Sequence, residues 1–304
     1  MLKIGLQLFF TAAAFWLAFH NVAWRDLQDV YSRQETLYVW AAVCAVFFQG
    51  ICGALRWHHM RRALGGPGSD NATHTSAIYF TGNFFNVCFP STLGGDLARI
   101  WLVKKNGGVV KDTIYGVILD RAMSLLGLLL LIASTLPPLF VLMEMDPSPA
   151  IIIAAICWLL AAMCYALLRV LLPKLRPLTR FTFLNDIIGA LQRVVDKYVP
   201  LLCALCWSVA AHTTYAVVTY ALARSLNIDI GLFDCLVLVM PVLFIAALPI
   251  SFGGWGVREI GMTTMLAFAG VAYAPALMIS LQVGVISTFC NLLGGLCYLT
   301  LRRK

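Results

Sequence analysis

Charge is what this sequence has least of. Asp, Glu, Lys and Arg make up 12% of the 304 residues, while 61% are apolar. A water-soluble domain of this length needs polar cover over its surface, so the composition excludes one. No polar stretch is long enough to form a separate soluble domain. Catalytic and nucleotide signatures are missing too: there is no H-E-x-x-H and no G-x-S-x-G, and neither Gly-Gly turn is followed by Lys-Ser or Lys-Thr. The five histidines (His20, His58, His59, His74, His212) are scattered and form no metal set. His58-His59 reads as solvated in a basic loop, and His212 as the partner of a local hydrogen bond. The ten cysteines lie in or beside apolar segments and read as small buried hydrophobes, Cys203-x-x-Cys206 included. No cofactor or metal is expected.

Long apolar runs are what the chain has instead, several of them reaching the roughly 20 residues needed to cross a hydrocarbon core. Spans are expected at about 4–21, 36–56, 113–136, 150–172, 199–224 and 275–300, with the third stopped by Pro137-Pro138. Residues 1–20 read as a retained span, because Lys3 is the only basic residue before the apolar run and no small-x-small cleavage site follows. Residues 22–35 read as a loop, and Arg56, Arg61 and Arg62 as a basic loop running to the Gly65-Gly66-Pro67-Gly68 turn. Over 184–198, Leu184, Ile187, Ile188, Leu191, Val194, Val195 and Tyr198 recur at helical spacing, as in an amphipathic helix lying on the inner leaflet or in an extension of the next span.

The net charge of +8 is explained by where the basic residues fall. With the N-terminus inside, outer loops carry only Arg25, Arg33 and Arg224, whereas Asp26, Asp29, Glu35, Glu144, Asp146, Asp229 and Asp234 lie outside. That asymmetry points to a multi-pass protein of a bacterial inner membrane with both termini cytoplasmic, and makes nucleic acid an unneeded explanation for the charge.

Two apolar segments are interrupted in the same way. One reads NVCFPSTLGGDLARI and the other AALPISFGGWGVREI, and both fit Pro-x-x-x-Gly-Gly-x-x-x-Arg. The pattern falls on Pro90, Gly94, Gly95 and Arg99, and on Pro249, Gly253, Gly254 and Arg258, with Gly256 following in the second copy; Asp96 and Glu259 supply a carboxylate near each arginine. A helix cannot break in lipid, because free backbone N–H and C=O groups there cost several kcal/mol each. It can break where the backbone faces protein or a wet cavity. Paired Gly/Pro-interrupted segments in corresponding halves point to a transport site near the midplane. The expected fold is therefore an all-α integral membrane protein: a polytopic helical bundle forming one domain over 1–304, with inverted repeats (about 36–136 and 199–300) and two re-entrant or broken helices. The stretch 232–249 is long enough to span alone, so the second interruption also reads as a kinked helix with an ordinary loop.

Charges at membrane depth are candidate site residues. Asp120 and Arg121 lie about 10–12 Å into their span at 1.5 Å per residue, where a charge is costly unless paired or wet. Adjacent helical residues do not face each other, so each needs its own partner; Asp120 is expected to meet Arg99 or Arg258. Arg99, Arg121 and Arg258 offer fork-shaped donors suited to a phosphate. Asp96, Asp120 and Glu259 would hold them apart, with Asn83, Asn86, Ser91, Thr92 and Ser251 as polar lining. A purely structural ion network is the other reading.

The stretches GNFFNVCFPSTLGGDLARIWLVKK, VILDRAMSLLGLLLL and LPISFGGWGVREIGMTTMLAFAGV resemble the signature regions of the lysylphosphatidylglycerol synthase transmembrane (flippase-like) family. The matching positions are Asn86, Pro90, Gly94, Gly95 and Arg99; Asp120 and Arg121; and Pro249, Gly253, Gly254, Gly256, Arg258 and Glu259. Asp120-Arg121 departs from the Glu-Arg that family members often carry. The resemblance implies lipid translocation for the membrane part. Lysine transfer is not expected, since no aminoacyl-transferase domain is present among these residues. The expectation is a non-enzymatic translocator of an anionic lipid, either a phospholipid or a polyprenyl-phosphate-linked one. The alternatives are an integral-membrane enzyme acting on a lipid headgroup, a small-solute transporter, and an accessory partner of a lipid-modifying or glycosyltransferase complex. Topology reporters test the orientation: a fusion at the C-terminus should read cytoplasmic, and one in the loop 137–149 should read external.

Overall fold

The computed structural model describes residues 2–20, 22–32, 34–65, 71–89, 94–175 and 182–302. Within them the chain forms twelve α-helices and no strand. They are α1 (Leu2–Phe19), α2 (Trp24–Ser32), α3 (Thr36–Leu64), α4 (Ala72–Cys88), α5 (Gly94–Lys105), α6 (Val110–Leu142), α7 (Ser148–Leu175), α8 (Thr182–Val195), α9 (Tyr198–Ser225), α10 (Leu232–Ala247), α11 (Val257–Ala267) and α12 (Tyr273–Arg302). A 3-10 turn at Phe252–Gly254 separates α10 from α11. Pro90, Ser91 and Thr92, the turn at Gly66, Pro67 and Gly68, and Arg33, Arg176, Arg180, Arg303 and Lys304 lie outside the described residues.

Among the described residues, α3, α6, α7, α9 and α12 are long and apolar enough to cross a membrane, while α1 and α10 are shorter apolar helices. Three sequence expectations are corrected at helix ends. First, α3 does not stop at 56. No breaker intervenes before Gly65, and Trp57, Met60 and Leu64 continue the buried face, so Arg56 and Arg61 are buried helical residues and His58 is buried with them. Second, α6 passes through Pro137 and Pro138 and ends at Leu142. A proline pair one turn from a helix end forfeits few backbone bonds, and long membrane helices tolerate that loss. Third, the stretch expected as a loop after α1 contains α2, whose Leu27 is buried against Ala18 and Leu277 while Asp26 and Asp29 face outward.

At the centre of the bundle α3 packs along α9, and α7 is attached to the outside through α6 and α8. With α3–α6 laid over α9–α12 in order, the packed pairs correspond. Contacts α3·α4, α4·α5, α5·α6 and α3·α6 match α9·α10, α10·α11, α11·α12 and α9·α12; α4·α12 matches α10·α6, and α6·α9 matches α12·α3.

Two side chains at the end of α8 close off the C-terminus of α3. Arg193 donates to the Leu64 carbonyl at 3.0 Å and Lys197 to that of Ala63 at 3.0 Å, placing cations on carbonyls that the helix leaves unpaired. Arg193 also pairs with Asp112 at 2.7 Å at the start of α6. Between α6 and α7, Ser148 donates to Asp146 Oδ1 from its backbone N–H (3.0 Å) and its hydroxyl (2.8 Å), and these bonds hold the Asp146 carboxyl below its ordinary value.

The two interruptions are built differently. Gly253, Gly254 and Gly256 have φ of 61°, 77° and 84°, a left-handed backbone that favours glycine. Helix α1 covers this turn: Phe252 N–H donates to Thr11 Oγ1 at 2.8 Å, Gln7 Nε2 donates to the Pro249 carbonyl at 3.2 Å, and Phe15 stacks on Trp255. Gly94 and Gly95, by contrast, are the first residues of α5, and the break that precedes them, residues 90–93, lies outside the described residues. Gly95 is needed for close packing, since a Cβ there would lie 2.2 Å from the Gly82 carbonyl of α4. Gly95→Ala is therefore expected to destabilise the protein by about 1–3 kcal/mol, the cost of overpacking, whereas Gly5→Ala, which meets open space, leaves the melting temperature unchanged.

Candidate functional site

The tight α4–α5 pair places one helix N-terminus and two polar faces beside α3, α6 and α9. Asn86 Oδ1 accepts from the Gly95 N–H at 2.8 Å, fixing the start of α5 against α4. Asp96 and Arg99 then lie one turn apart on α5, facing Asn83 on α4 and Asp120 on α6. Together with Arg56, Arg121, Ser124, His212 and Tyr215, and with Leu125, Leu128, Leu243 and Ala247 on an apolar flank, these residues line a cavity of about 540 Å³.

Asp120 is buried, and its two oxygens are shared by two guanidinium groups. Arg56 Nε lies 2.7 Å from Oδ1, and Arg99 Nη1 lies 3.7 Å from Oδ2. Arg99 is itself buried, with its guanidinium 4.1 Å from the Tyr79 ring and Nη2 donating to Asn83 Oδ1 at 3.1 Å. Its Nε has no hydrogen-bond partner among the described residues. Arg121 turns the other way: its Nε donates to Asp96 Oδ2 at 2.7 Å while the side chain stays 53% exposed. Asp120 and Arg121 thus have separate partners, as helix geometry requires. Three guanidinium groups meet two carboxylates, leaving one positive charge in excess around the cavity. His212 completes the wall, with Nε2 3.0 Å from the Ser124 carbonyl.

The second arginine–carboxylate pair does not line this cavity. Arg258 Nε donates to Glu259 Oε1 at 3.1 Å and to Ser280 Oγ at 3.3 Å, and the guanidinium lies 4.5 Å from the Trp255 ring. Glu259 is wholly buried; its Oε2 accepts from the Gly256 N–H and closes the first turn of α11. Tyr215 links the two centres: it lines the cavity and also lies within electrostatic reach of Arg258 and Glu259. Ser251 is buried, and its hydroxyl has no partner among the described residues.

A family model for the lysylphosphatidylglycerol synthase TM region matches residues 4–295. The chain belongs to that family. No curated protein matches it significantly. The family and the five long apolar helices together make it a multi-pass membrane protein.

In this lysylphosphatidylglycerol synthase TM-region protein, the expectation of one pocket shared by both interruptions is corrected. Asp96, Arg99, Asp120, Arg121, Asn83 and Asn86 come together around one cavity, while Arg258 and Glu259 satisfy each other beneath α1 and α12. Asp120 meets Arg99, as one of its two expected partners, and does not meet Arg258. Its closer partner, Arg56, was assigned to a loop. The signal that would have found it is the repeat Cys52, Arg56, Met60: buried positions four apart on an uninterrupted helix. Glu259 reads better as a structural group than as lining. Glu259→Ala is expected to cost about 3–5 kcal/mol by leaving Arg258 buried without its counter-ion. Glu259→Gln, which keeps an acceptor for the Gly256 N–H, should cost less, both read as shifts in thermal unfolding.

Proposed function

We propose that this protein translocates an anionic lipid, a phospholipid or a polyprenyl-phosphate-linked one, across a bacterial inner membrane. Both termini are cytoplasmic in this proposal, and α3–α6 and α9–α12 form inverted repeats. The observation that carries the reading is a cavity wall with three guanidinium groups, those of Arg56, Arg99 and Arg121, against two carboxylates, Asp96 and Asp120. A guanidinium offers planar paired donors to phosphate oxygens, and low local dielectric strengthens that attraction. Asp120 and Arg56 hold Arg99 in place when the cavity is empty.

The remaining lining supports a lipid over a soluble anion. Arg121 and Leu125 are exposed, while Leu125, Leu128, Leu243 and Ala247 give the cavity an apolar flank on α6 and α10. Such a flank suits acyl or prenyl chains, with the headgroup at the arginines. The matched packing of the two halves supports the repeat, because inverted-repeat transporters rock one half against the other around a fixed site.

Reconstitution into liposomes tests this. Wild-type protein should equilibrate a fluorescent anionic phospholipid between leaflets, and Arg99→Ala should slow it at least about tenfold, the worth of one charge-assisted hydrogen bond. Arg258→Ala should lower the yield of folded protein without changing the rate per folded molecule. A covalently altered lipid with unchanged leaflet distribution would favour an enzyme instead. Neither effect, together with a co-purifying lipid-modifying or glycosyltransferase protein, would favour an accessory role.

A further inference from the structure

The three guanidinium groups at the cavity are held in two different ways. Arg56 Nε lies 2.7 Å from Asp120 Oδ1, and Arg121 Nε donates to Asp96 Oδ2 at 2.7 Å. Arg99 has no carboxylate this close among the described residues. Its Nη1 lies 3.7 Å from Asp120 Oδ2 and 3.9 Å from Asp96 Oδ1, beyond hydrogen-bond reach. Two aromatic rings stand in the carboxylate's place. The guanidinium carbon is 4.1 Å from the Tyr79 ring centroid and 5.5 Å from that of Trp57. The two rings are tilted 44° to each other with centroids 6.4 Å apart, and Arg99 sits in the angle between them.

The sequence builds this seat from three helices. Gly82 on α4 leaves room for the stem of Arg99 from α5, since a Cβ there would lie 2.6 Å from Arg99 Nε. Gly53 on α3 leaves room for the end of Tyr79, because a Cβ there would collide with the phenol oxygen. One turn further along α3, Trp57 is wholly buried among Ile78, Leu102, Val103 and Leu301, so its ring is fixed. Tyr79 lines the cavity and Trp57 does not. The Trp57 ring also carries Arg61, whose guanidinium is 5.4 Å from its centroid and donates to Thr75 Oγ1 at 3.2 Å. Among aromatic side chains Trp offers a cation the strongest face, which suits a ring shared by two of them.

We infer that Tyr79 and Trp57 are positioning residues: they hold the Arg99 guanidinium off Asp96 and Asp120, so that its donors stay available to a lipid phosphate. The inference rests on the anionic-lipid reading above and adds how the excess cation is kept ready. A carboxylate at hydrogen-bond distance would stabilise Arg99 while occupying its donors and repelling a phosphate. An aromatic face stabilises a cation through its quadrupole and carries no net charge. It also takes up none of the N–H groups, which lie in the guanidinium plane. Without the rings, Nη1 closes the short gap to Asp120 or Asp96, and a phosphate must then break that pair to reach Arg99.

Binding of short-chain phosphatidylmethanol, an anionic phosphodiester, to the purified full-length chain in detergent tests this, with short-chain phosphatidylcholine as the reference probe. Trp57 is replaced site-specifically by tryptophan carrying an increasing number of ring fluorines, which keep the ring's shape while draining its face of negative potential. Phosphatidylmethanol affinity should fall stepwise along the series. Trp57→Leu and Tyr79→Leu should lower it about two- to thirtyfold, the range of a cation–π contact. Phosphatidylcholine binding should not change. The same fluorinated residues at Trp40, an exposed tryptophan near the start of α3, should leave both affinities as they are. If the leucine variants do not fold, the fluorinated series alone decides. A phosphatidylmethanol affinity that stays constant along the series, whatever happens to the melting temperature, or that falls in parallel with phosphatidylcholine binding, assigns Trp57 to packing; it overturns the aromatic clamp and leaves the phosphate site standing. Wild-type protein that binds phosphatidylmethanol no better than phosphatidylcholine overturns the anionic-lipid reading itself.

Discussion

A carboxylate inside a membrane bundle must be neutralised, and Asp120 is the group on which the cavity depends. Its charge is held by Arg56 from α3 and Arg99 from α5, two helices that meet α6 from different directions. Truncating one partner of such a cluster leaves a buried charge unpaired, typically at several kcal/mol, so the three helices are tied in one arrangement. The ties do not balance. Asp96 is drawn to Arg121, Asp120 is shared, and one guanidinium equivalent is left facing the cavity. The same network that fixes the helices therefore also defines the electrostatics of the space between them.

The two halves show how one sequence pattern serves two physical purposes. In the second half the glycines make a turn, with φ values that favour glycine, and the arginine–glutamate pair is consumed in capping α11 and filling the space beside Gly284. In the first half the glycines bring α4 and α5 into backbone contact, and the arginine lies buried over Tyr79 with Asn83 and Asp120 as its partners at the cavity wall. One interruption is locked under α1, and the other builds the cavity. In an inverted-repeat transporter this asymmetry would make the second interruption the fixed element.

Much of this was legible in the sequence because it rests on local rules. The spans follow from apolar length, the α8 face from its periodicity, and the Pro-x-x-x-Gly-Gly-x-x-x-Arg copies with Asp120-Arg121 pointed to the family that the comparison establishes. What was not legible depends on which helix faces come together. Arg56 sits after an apolar run long enough to span, so hydropathy alone placed it in a loop; only the unbroken helix to Leu64 returns it to the interior. The separation of Arg258 from Arg99 could not be read from two matching motifs, because a motif fixes the backbone and not what packs on it.

The central claim is that the excess guanidinium beside Asp120 is an anion site filled by a lipid phosphate. An experimental structure of the protein in nanodiscs containing an anionic lipid addresses it most directly. Phosphate density within hydrogen-bonding distance of the Arg99 or Arg121 guanidinium in the cavity, with the Arg56–Asp120 pair intact, is the predicted result. A cavity holding only water, with lipid headgroups confined to the outer surface of the bundle, would contradict it.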